Sequence, residues 1–445
     1  MKAPTARPER RSEKRRKRSS SASRPRGIAA FLGDLGPGLV TGAADDDPSG
    51  IATYSQAGAA FGYGLLWTAL LSFPLMISVQ LMCARLALVT RSGLAAVLRR
   101  YYSPWLLWLA CLLLLIGNTI NIAADLSGMA AGAELLSGIP RVWFVPVFAI
   151  VILLFLMYGS YSLLLRIFKW LTLVLFAYVA AAFLAKPVWS EVFRGTFVPR
   201  IVVSKDYLFT FVAIFGTTIS PYLFFWQAAQ EVEAEQALDK EIGGRPKRAL
   251  ERELRSARTD VLAGMSVSNF VMYFIVLTAG ATLHPHGHTN VQTAADAAAA
   301  LKPVAGPAAA LLFTLGLVGT GLLGVPVLAG SAAYAIAEAA RWRRGMDAKP
   351  HQARNFYIVI ALAMLIGTAL TFTPIDPIRL LLWSAVINGL LAPPLIIIVL
   401  AICNNRKVMG EHRNGWWLNV GGTVAAVIMS GSAIALIASW FGLFS

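Results

Sequence analysis

Eleven apolar runs recur along this sequence, each long enough to cross about 30 Å of hydrocarbon. They fall at about residues 30–60, 63–89, 104–127, 142–160, 163–186, 206–229, 260–283, 305–339, 354–373, 378–402 and 416–441. Inside a bilayer the backbone must satisfy its own polar groups, so runs of this length predict helices that span it. The composition agrees, with 57% of residues hydrophobic and 14% charged, where a soluble domain averages roughly 25% charged. A water-soluble enzyme is thereby excluded. The formal net charge of +16 points instead to nucleic acid or an anionic surface, until the charges are located.

Eleven basic residues, from Lys2 to Arg26, crowd the first 30 positions against two acids, Glu9 and Glu13. This stretch has too little apolar surface to fold and lacks the apolar core of a secretory signal. Residues 1–27 are expected to be a disordered basic tail at the cytoplasmic face, and residues 28–445 a single transmembrane domain. Lys and Arg in the loops then set orientation. With the amino terminus inside, 31 basic residues lie on the cytoplasmic side and seven on the other. The carboxyl terminus is expected outside. The charge therefore describes topology, and no nucleic-acid partner is expected. Cys83, Cys111 and Cys403 all fall in apolar runs without metal-ligand spacing, so no disulfide is expected. Neither a zinc-protease His-Glu-x-x-His nor a Walker-type loop occurs, which argues against hydrolysis and ATP drive within this chain.

Acids at membrane depth are costly and usually functional. Asp45, Asp46, Asp47 and Asp125 fall well inside predicted spans. The first three belong to Gly42-Ala43-Ala44-Asp45-Asp46-Asp47-Pro48-Ser49-Gly50. Pro48 removes a backbone donor and disfavours helix at Asp47, so the first segment should be interrupted there. The sixth segment repeats the device in Gly216-Thr217-Thr218-Ile219-Ser220-Pro221-Tyr222. Breaks five segments apart point to a carrier built from inverted repeats, with segments 1–5 related to 6–10 and segment 11 added. Free carbonyls and a carboxylate at such a break suit a cation.

At these residues the sequence resembles the Nramp family of divalent-metal transporters, over roughly residues 28–441. Gly36-Pro37-Gly38 leads into the first segment, Asp47-Pro48-Ser49-Gly50 stands where typical members have Asp-Pro-Gly-Asn, and Phe61-Gly62-Tyr63, Leu66-Trp67 and Ala124-Asp125-Leu126 follow. The loop from His284 to Thr289 and Leu301-Lys302-Pro303 also fit. The resemblance implies an all-α integral membrane protein of LeuT-type fold, about 11 transmembrane helices, in a bacterial plasma membrane. It implies no cofactor and no obligatory protein partner beyond lipid; the divalent ion is the substrate.

The departures from the family pattern carry chemistry. Where the family has Met-Pro-His, this chain has Ser220-Pro221-Tyr222; a second family histidine falls on Gln227, the helix-1 asparagine on Gly50, and a third-segment acid on Gly128. A thioether favours softer transition metals, whereas magnesium wants oxygen. Magnesium also sheds water reluctantly and is often held by one or two carboxylates. A roomier all-oxygen site suits partly hydrated Mg2+, as in the Nramp-related magnesium branch. With the histidines and one acid gone, uptake without obligatory proton coupling is expected.

By this reading Asp47 is the cation-binding carboxylate, with the carbonyls of Ala44 and Thr217 as ligands and Gly50 and Ser220 lining the site. Gln227 and Asn388 hold hydration water. Asn118 and Asn121 are weaker candidates, and Asp125 and Tyr222 are proton or network positions. Asp45 and Asp46 are expected as solvated charges at an outer vestibule. His284, His286 and His288 are spaced like a metal trap but read as loop residues, and Trp416 and Trp417 as interfacial anchors. The rival readings are a proton-coupled Mn2+ or Fe2+ transporter and a carrier of organic solutes such as amino acids on the same fold.

Overall fold

The computed structural model describes residues 36–158, 173–202, 204–242, 249–346 and 348–442. The chain divides into residues 1–36 and a compact unit from Pro37 to Ser445. The tail at 1–27 and residues 163–172 of the predicted fifth span, Arg166 and Lys169 among them, lie outside the described residues.

The described unit is helical. The first predicted span forms two helices, α1 (Pro37–Asp45) and α2 (Pro48–Phe61), separated at Asp46 and Asp47. Next come α3 (Trp67–Thr90), the short α4 (Leu94–Tyr101), α5 (Pro104–Ser137) and α6 (Arg141–Tyr158). α7 (Ala177–Leu184) and α8 (Trp189–Phe197) lead to the second interrupted pair, α9 (Lys205–Thr218) and α10 (Pro221–Ile242). α11 (Ala249–Thr282) precedes two short helices, α12 (Ala294–Ala299) and α13 (Lys302–Ala305). α14 (Ala309–Ala340), α15 (Arg354–Leu370), α16 (Pro377–Asn404), α17 (Arg406–Met409) and α18 (Trp416–Trp440) complete the chain.

Eight stretches among the described residues are long and apolar enough to cross a bilayer. Three of the eleven predicted spans fall outside that set for separate reasons. The first is cut into halves of 9 and 14 residues. The fifth is only partly described, as the apolar helix Val174–Leu184, and the ninth forms the 17-residue helix Arg354–Leu370.

Both halves of the first broken helix pack on α11. Helix α1 has no polar cap of its own. Its first amides, of Gly38 and Leu39, donate to the Asp260 carboxylate of α11 at 2.5 and 3.2 Å. These are the orphan donors that any helix start leaves. One turn further, Gly42 of α1 and Gly264 of α11 bring the two backbones together. A Cβ on Gly42 would overlap the Gly264 carbonyl, and one on Gly264 would overlap the Gly38 carbonyl. Small residues allow this approach where lipid supplies no hydrophobic drive between helices.

Polar links tie other helix ends. Arg91, just past α3, pairs with Glu235 and Asp239 of α10 at 3.2 and 2.9 Å. Glu338, buried near the end of α14, accepts from the Ala96 amide of α4 at 3.1 Å and pairs with Arg344 at 3.2 Å. Cys83, Cys111 and Cys403 are buried and free. Trp416 and Trp417 open α18 and are largely exposed.

Replacing Gly264 by leucine overfills the contact with α1, at a cost of about 1–3 kcal/mol or more. We expect a clearly lower melting temperature for Gly264→Leu in detergent, with Gly431→Leu unaffected, because nothing lies near Gly431. Equal melting temperatures for the two variants would contradict this packing.

Candidate cation site

The first break is built by the residues that predict it. Asp47 is the N-cap of α2, with extended backbone (φ −67°, ψ 172°), and Pro48 occupies the first helical position. Asp47 Oδ1 accepts the Gly50 amide at 2.9 Å and the Ser49 hydroxyl at 2.6 Å. A carboxylate at this place satisfies a free donor and meets the positive end of the helix. Its second oxygen, Oδ2, turns away from the helix and accepts from Asn121 Nδ2 of α5 at 2.9 Å. The Tyr222 hydroxyl donates to the Ala44 carbonyl at 2.8 Å and stands 3.4 Å from Asp47 Oδ2. Asp47 is 1% exposed.

The second break faces the first. α9 ends at Thr218, and Pro221 starts α10 after Ile219 and Ser220. Ser220 Oγ points back to the Gly216 and Thr217 carbonyls, at 2.6 and 2.9 Å. Gly50 lies between the breaks: a Cβ there would sit 3.1 Å from Thr217 Oγ1, 3.3 Å from the Tyr54 ring and 3.5 Å from the Asp45 carbonyl. Thr217 Oγ1 and the Tyr54 hydroxyl are buried and lie toward each other, without a hydrogen bond of normal geometry. Glycine in place of a larger residue therefore leaves a space edged by oxygen.

Asp125 belongs to the same surroundings. A Cβ on Gly324 of α14 would lie 3.1 Å from Asp47 Cβ and 3.6 Å from Asp125 Oδ2. The Asp125 carboxyl is fully buried and makes no hydrogen bond of normal geometry, although the Ser49 amide lies toward it. Gly128, one turn on, has its space filled: a Cβ there would meet Leu381 Cδ1 at 2.9 Å and Pro48 Cβ at 3.5 Å.

Other residues expected at the site are engaged elsewhere. Gln227 is buried, but its carbonyl oxygen lies 2.6 Å from the Thr41 hydroxyl, and its amide donates to Glu231 at 2.9 Å. Asn118 bridges α5 to α14 through the Leu328 carbonyl and the Ser331 hydroxyl, at 2.8 and 2.7 Å. Asn388 is buried with its Nδ2 unpartnered, beside Gly117 of α5. Asn121, ranked low on sequence, is the side chain that reaches Asp47. Gly324 gave no sequence signal beyond the glycines scattered through α14.

One expectation is overturned. Asp45 and Asp46 are not solvated charges at a vestibule: they are 0% and 3% exposed. They turn toward α11, where Ser268 Oγ donates to Asp45 Oδ2 at 2.6 Å and stands 3.3 Å from Asp46 Oδ1. The close backbone contact at Gly42 and Gly264 causes this, because Asp46 and Ser268 each lie one helical turn beyond it. The histidine loop holds no metal geometry. His284 Nδ1 contacts the Ala59 carbonyl at 2.8 Å and His286 Nδ1 the Thr282 carbonyl at 2.7 Å. Among the described residues, no group of three or more His, Cys, Asp or Glu side chains is placed to hold a metal. A separate cavity of about 1100 Å³ lies at the end of α2, lined among others by Tyr63, Glu191, Arg194, Tyr207 and His284.

Two facing helix breaks inside a bundle of membrane helices define a carrier scaffold, not the frame of an enzyme. Solved structures share it. A manganese transporter of Eremococcus coleocola superposes with a TM-score of 0.72 at 19% identity, covering 94% of this chain and 90% of that one. MhsT in complex with L-phenylalanine gives 0.56 at 13% identity over 92% of this chain and 98% of that one. The inward-facing form of Mhp1 gives 0.51 at 15% identity, covering 92% of each. The fold is thus LeuT-type. By sequence, the divalent metal cation transporter MntH of Klebsiella pneumoniae is 26% identical over 92% of this chain and 94% of its own length. MntH of Deinococcus radiodurans is 28% identical, over 91% of this chain and 89% of its own length. The profile of the natural resistance-associated macrophage protein-like family, Nramp, matches residues 38–439. The chain belongs to the Nramp family.

Asp47 also has a local structural role that can be separated from its charge. Asparagine caps a helix about as well as aspartate, whereas alanine loses about 1 kcal/mol. Asp47→Ala is expected to melt below the wild type and Asp47→Asn close to it; equal melting of the alanine variant would show that the cap is not stabilising α2.

Proposed function

We propose that this protein carries divalent metal cations across a bacterial plasma membrane by alternating access. Its substrate is Mg2+ with part of its water retained, and its amino terminus is cytoplasmic and its carboxyl terminus outside. The observation that carries the substrate is the surroundings of Asp47. The groups that contact it come from Ser49, Gly50, Asn121 and Tyr222, and Thr217 Oγ1 edges the space at Gly50 beside it. None is a thioether or an imidazole. Hard oxygen donors with a single dominant carboxylate favour magnesium over softer transition metals. The bare Cα of Gly50 leaves room for retained water.

An arriving cation competes for groups already in use. The Ala44 carbonyl is held by Tyr222, and Asp47 Oδ2 by Asn121. Loss of these contacts adds to the cost of removing water from the ion, and the new ion–oxygen contacts must offset both. Asn121, through its free Oδ1, then serves the ion or its water, while Gln227 stays tied to Thr41 and Glu231. Transport proceeds without obligatory proton movement. The space at Gly128 is filled by Leu381 and Pro48, which leaves Asp125 as the acid of α5 beside Asp47.

The second reading is proton-coupled manganese transport; the Eremococcus protein is a manganese transporter, and the relatives by sequence are divalent metal cation transporters. Liposomes carrying a magnesium dye decide between them. The proposal expects Mg2+ entry without acidification of the lumen. Micromolar Mn2+ uptake that a tenfold excess of Mg2+ fails to inhibit, or acidification in step with entry, would contradict it. Ser220→Met should strengthen Mn2+ or Cd2+ binding, and an unchanged affinity would remove Ser220 from the ion's surroundings. Asn121→Ala is expected to weaken Mg2+ binding about tenfold, against less than about twofold for Gln227→Ala. The opposite order would mean that Asn121 only positions Asp47's helix.

A further inference from the structure

The cavity of about 1100 Å³ at the end of α2 shares no wall with the surroundings of Asp47. It lies between the end of α2, α8 with the stretch that follows it, the start of α9 and the end of α11. Arg194 and Arg200 line it against a single carboxylate, Glu191. That balance repels a divalent cation and attracts an anion. Among the described residues, neither arginine takes part in an ion pair. The sequence shows the same bias on a larger scale. Of the seven basic residues assigned to the non-cytoplasmic side, Lys186, Arg194, Arg200 and Lys205 fall between positions 186 and 205, with Glu191 as the one acid there.

α8 supplies a second, separate observation. Trp189, Phe193 and Phe197 recur every fourth residue and are all exposed, so they form one aromatic face. Val192 and Thr196 form the buried side, where Thr196 Oγ1 lies 2.9 Å from the Tyr273 hydroxyl of α11. Gly195 seats the helix on the turn after α2, because a Cβ there would overlap the Tyr63 carbonyl. Beyond α8, Val198 and Ile201 are exposed as well, and the Tyr207 hydroxyl donates to the Arg200 carbonyl at 2.8 Å, which fixes Arg200 at the wall. A short helix with an exposed aromatic face is suited to the boundary between headgroups and acyl chains. The basic cavity therefore opens beside a surface made for lipid.

We propose that this cavity binds the headgroup of an anionic phospholipid, with Arg194 and Arg200 taking its phosphate and its chains lying along the aromatic face of α8. Guanidinium forks match phosphate oxygens. The aromatic face favours a lipid over free phosphate, which has no apolar part to cover it. The site touches α2 and α9, one half of each broken helix, and Phe61 and Tyr207 join these edge to face with ring centres 5.4 Å apart. A lipid held there is placed to bias the movement of both. This inference does not depend on which ion is carried.

The test uses full-length protein in an uncharged detergent, titrated with phosphatidylglycerol or with phosphatidylcholine of the same chains. Lipid retention is read by native mass spectrometry. The wild type is expected to hold phosphatidylglycerol at least about tenfold more tightly than phosphatidylcholine. At about fivefold for each arginine, the double variant Arg194→Gln, Arg200→Gln should bind phosphatidylglycerol about 30-fold more weakly. The control pair Lys302→Gln, Arg379→Gln removes two exposed basic residues assigned to the same side and should keep the preference. Equal retention of the two lipids by the wild type overturns the site, as does an unchanged preference in the Arg194/Arg200 variant. An equal loss in the control pair would assign the preference to general surface charge and overturn it too. Displacement of the lipid by an excess of inorganic phosphate would make this a site for free phosphate and overturn the lipid. Both arginines are exposed, so folding should survive their replacement. If the pair fails to fold, the single variants, each about fivefold weaker, carry the same test.

Discussion

The structure depends on a carboxylate that does two things at once. Asp47 caps α2 with one oxygen and leaves the other for Asn121 and the neighbourhood of Tyr222. A helix broken at this depth exposes amides and carbonyls that lipid cannot solvate. The cap satisfies the amide side, and Tyr222 covers the Ala44 carbonyl on the other. The break is therefore stable without a ligand, yet every contact that stabilises it uses an oxygen that an ion would also use. That competition is what makes the position suitable for reversible binding.

The packing around the break explains how it is held. α1 is fastened to α11 by the Asp260 cap and by a contact of glycine on glycine. α9 is drawn against α16 in the same manner, since a Cβ on Gly216 would overlap the backbone at Ala385 and Gly389. The two broken helices thus stand on different supports, α11 for one and α16 for the other. Relative movement of such supports is how carriers of this architecture expose a fixed site to alternate faces.

Much of this was legible in the sequence, because the signals were strong and local. A proline after an acid in an apolar run leaves few alternatives to a break, and both breaks lie where Pro48 and Pro221 put them. The family resemblance was carried by the same residues. What sequence could not resolve was direction. Asp45, Asp46 and Asp47 are adjacent, and only the Gly42–Gly264 contact determines that two of them turn to Ser268. Asn118 and Asn121 lie three residues apart on α5, yet one bridges to α14 and the other reaches Asp47. Gln227 looked equivalent to a family site residue, but Glu231 one turn later claims its amide. These outcomes depend on neighbours far away in the chain, which a pattern of spacing does not contain.

The central claim is that the charge of Asp47, and not its capping role, binds the transported ion. Asp47→Asn separates the two, because asparagine preserves the cap while removing the charge. Mg2+ uptake by this variant, reconstituted beside the wild type at matched protein content, is the most direct measurement. The account predicts a folded protein with uptake reduced to the level of empty liposomes. Uptake by the folded variant at a rate comparable to the wild type would contradict it.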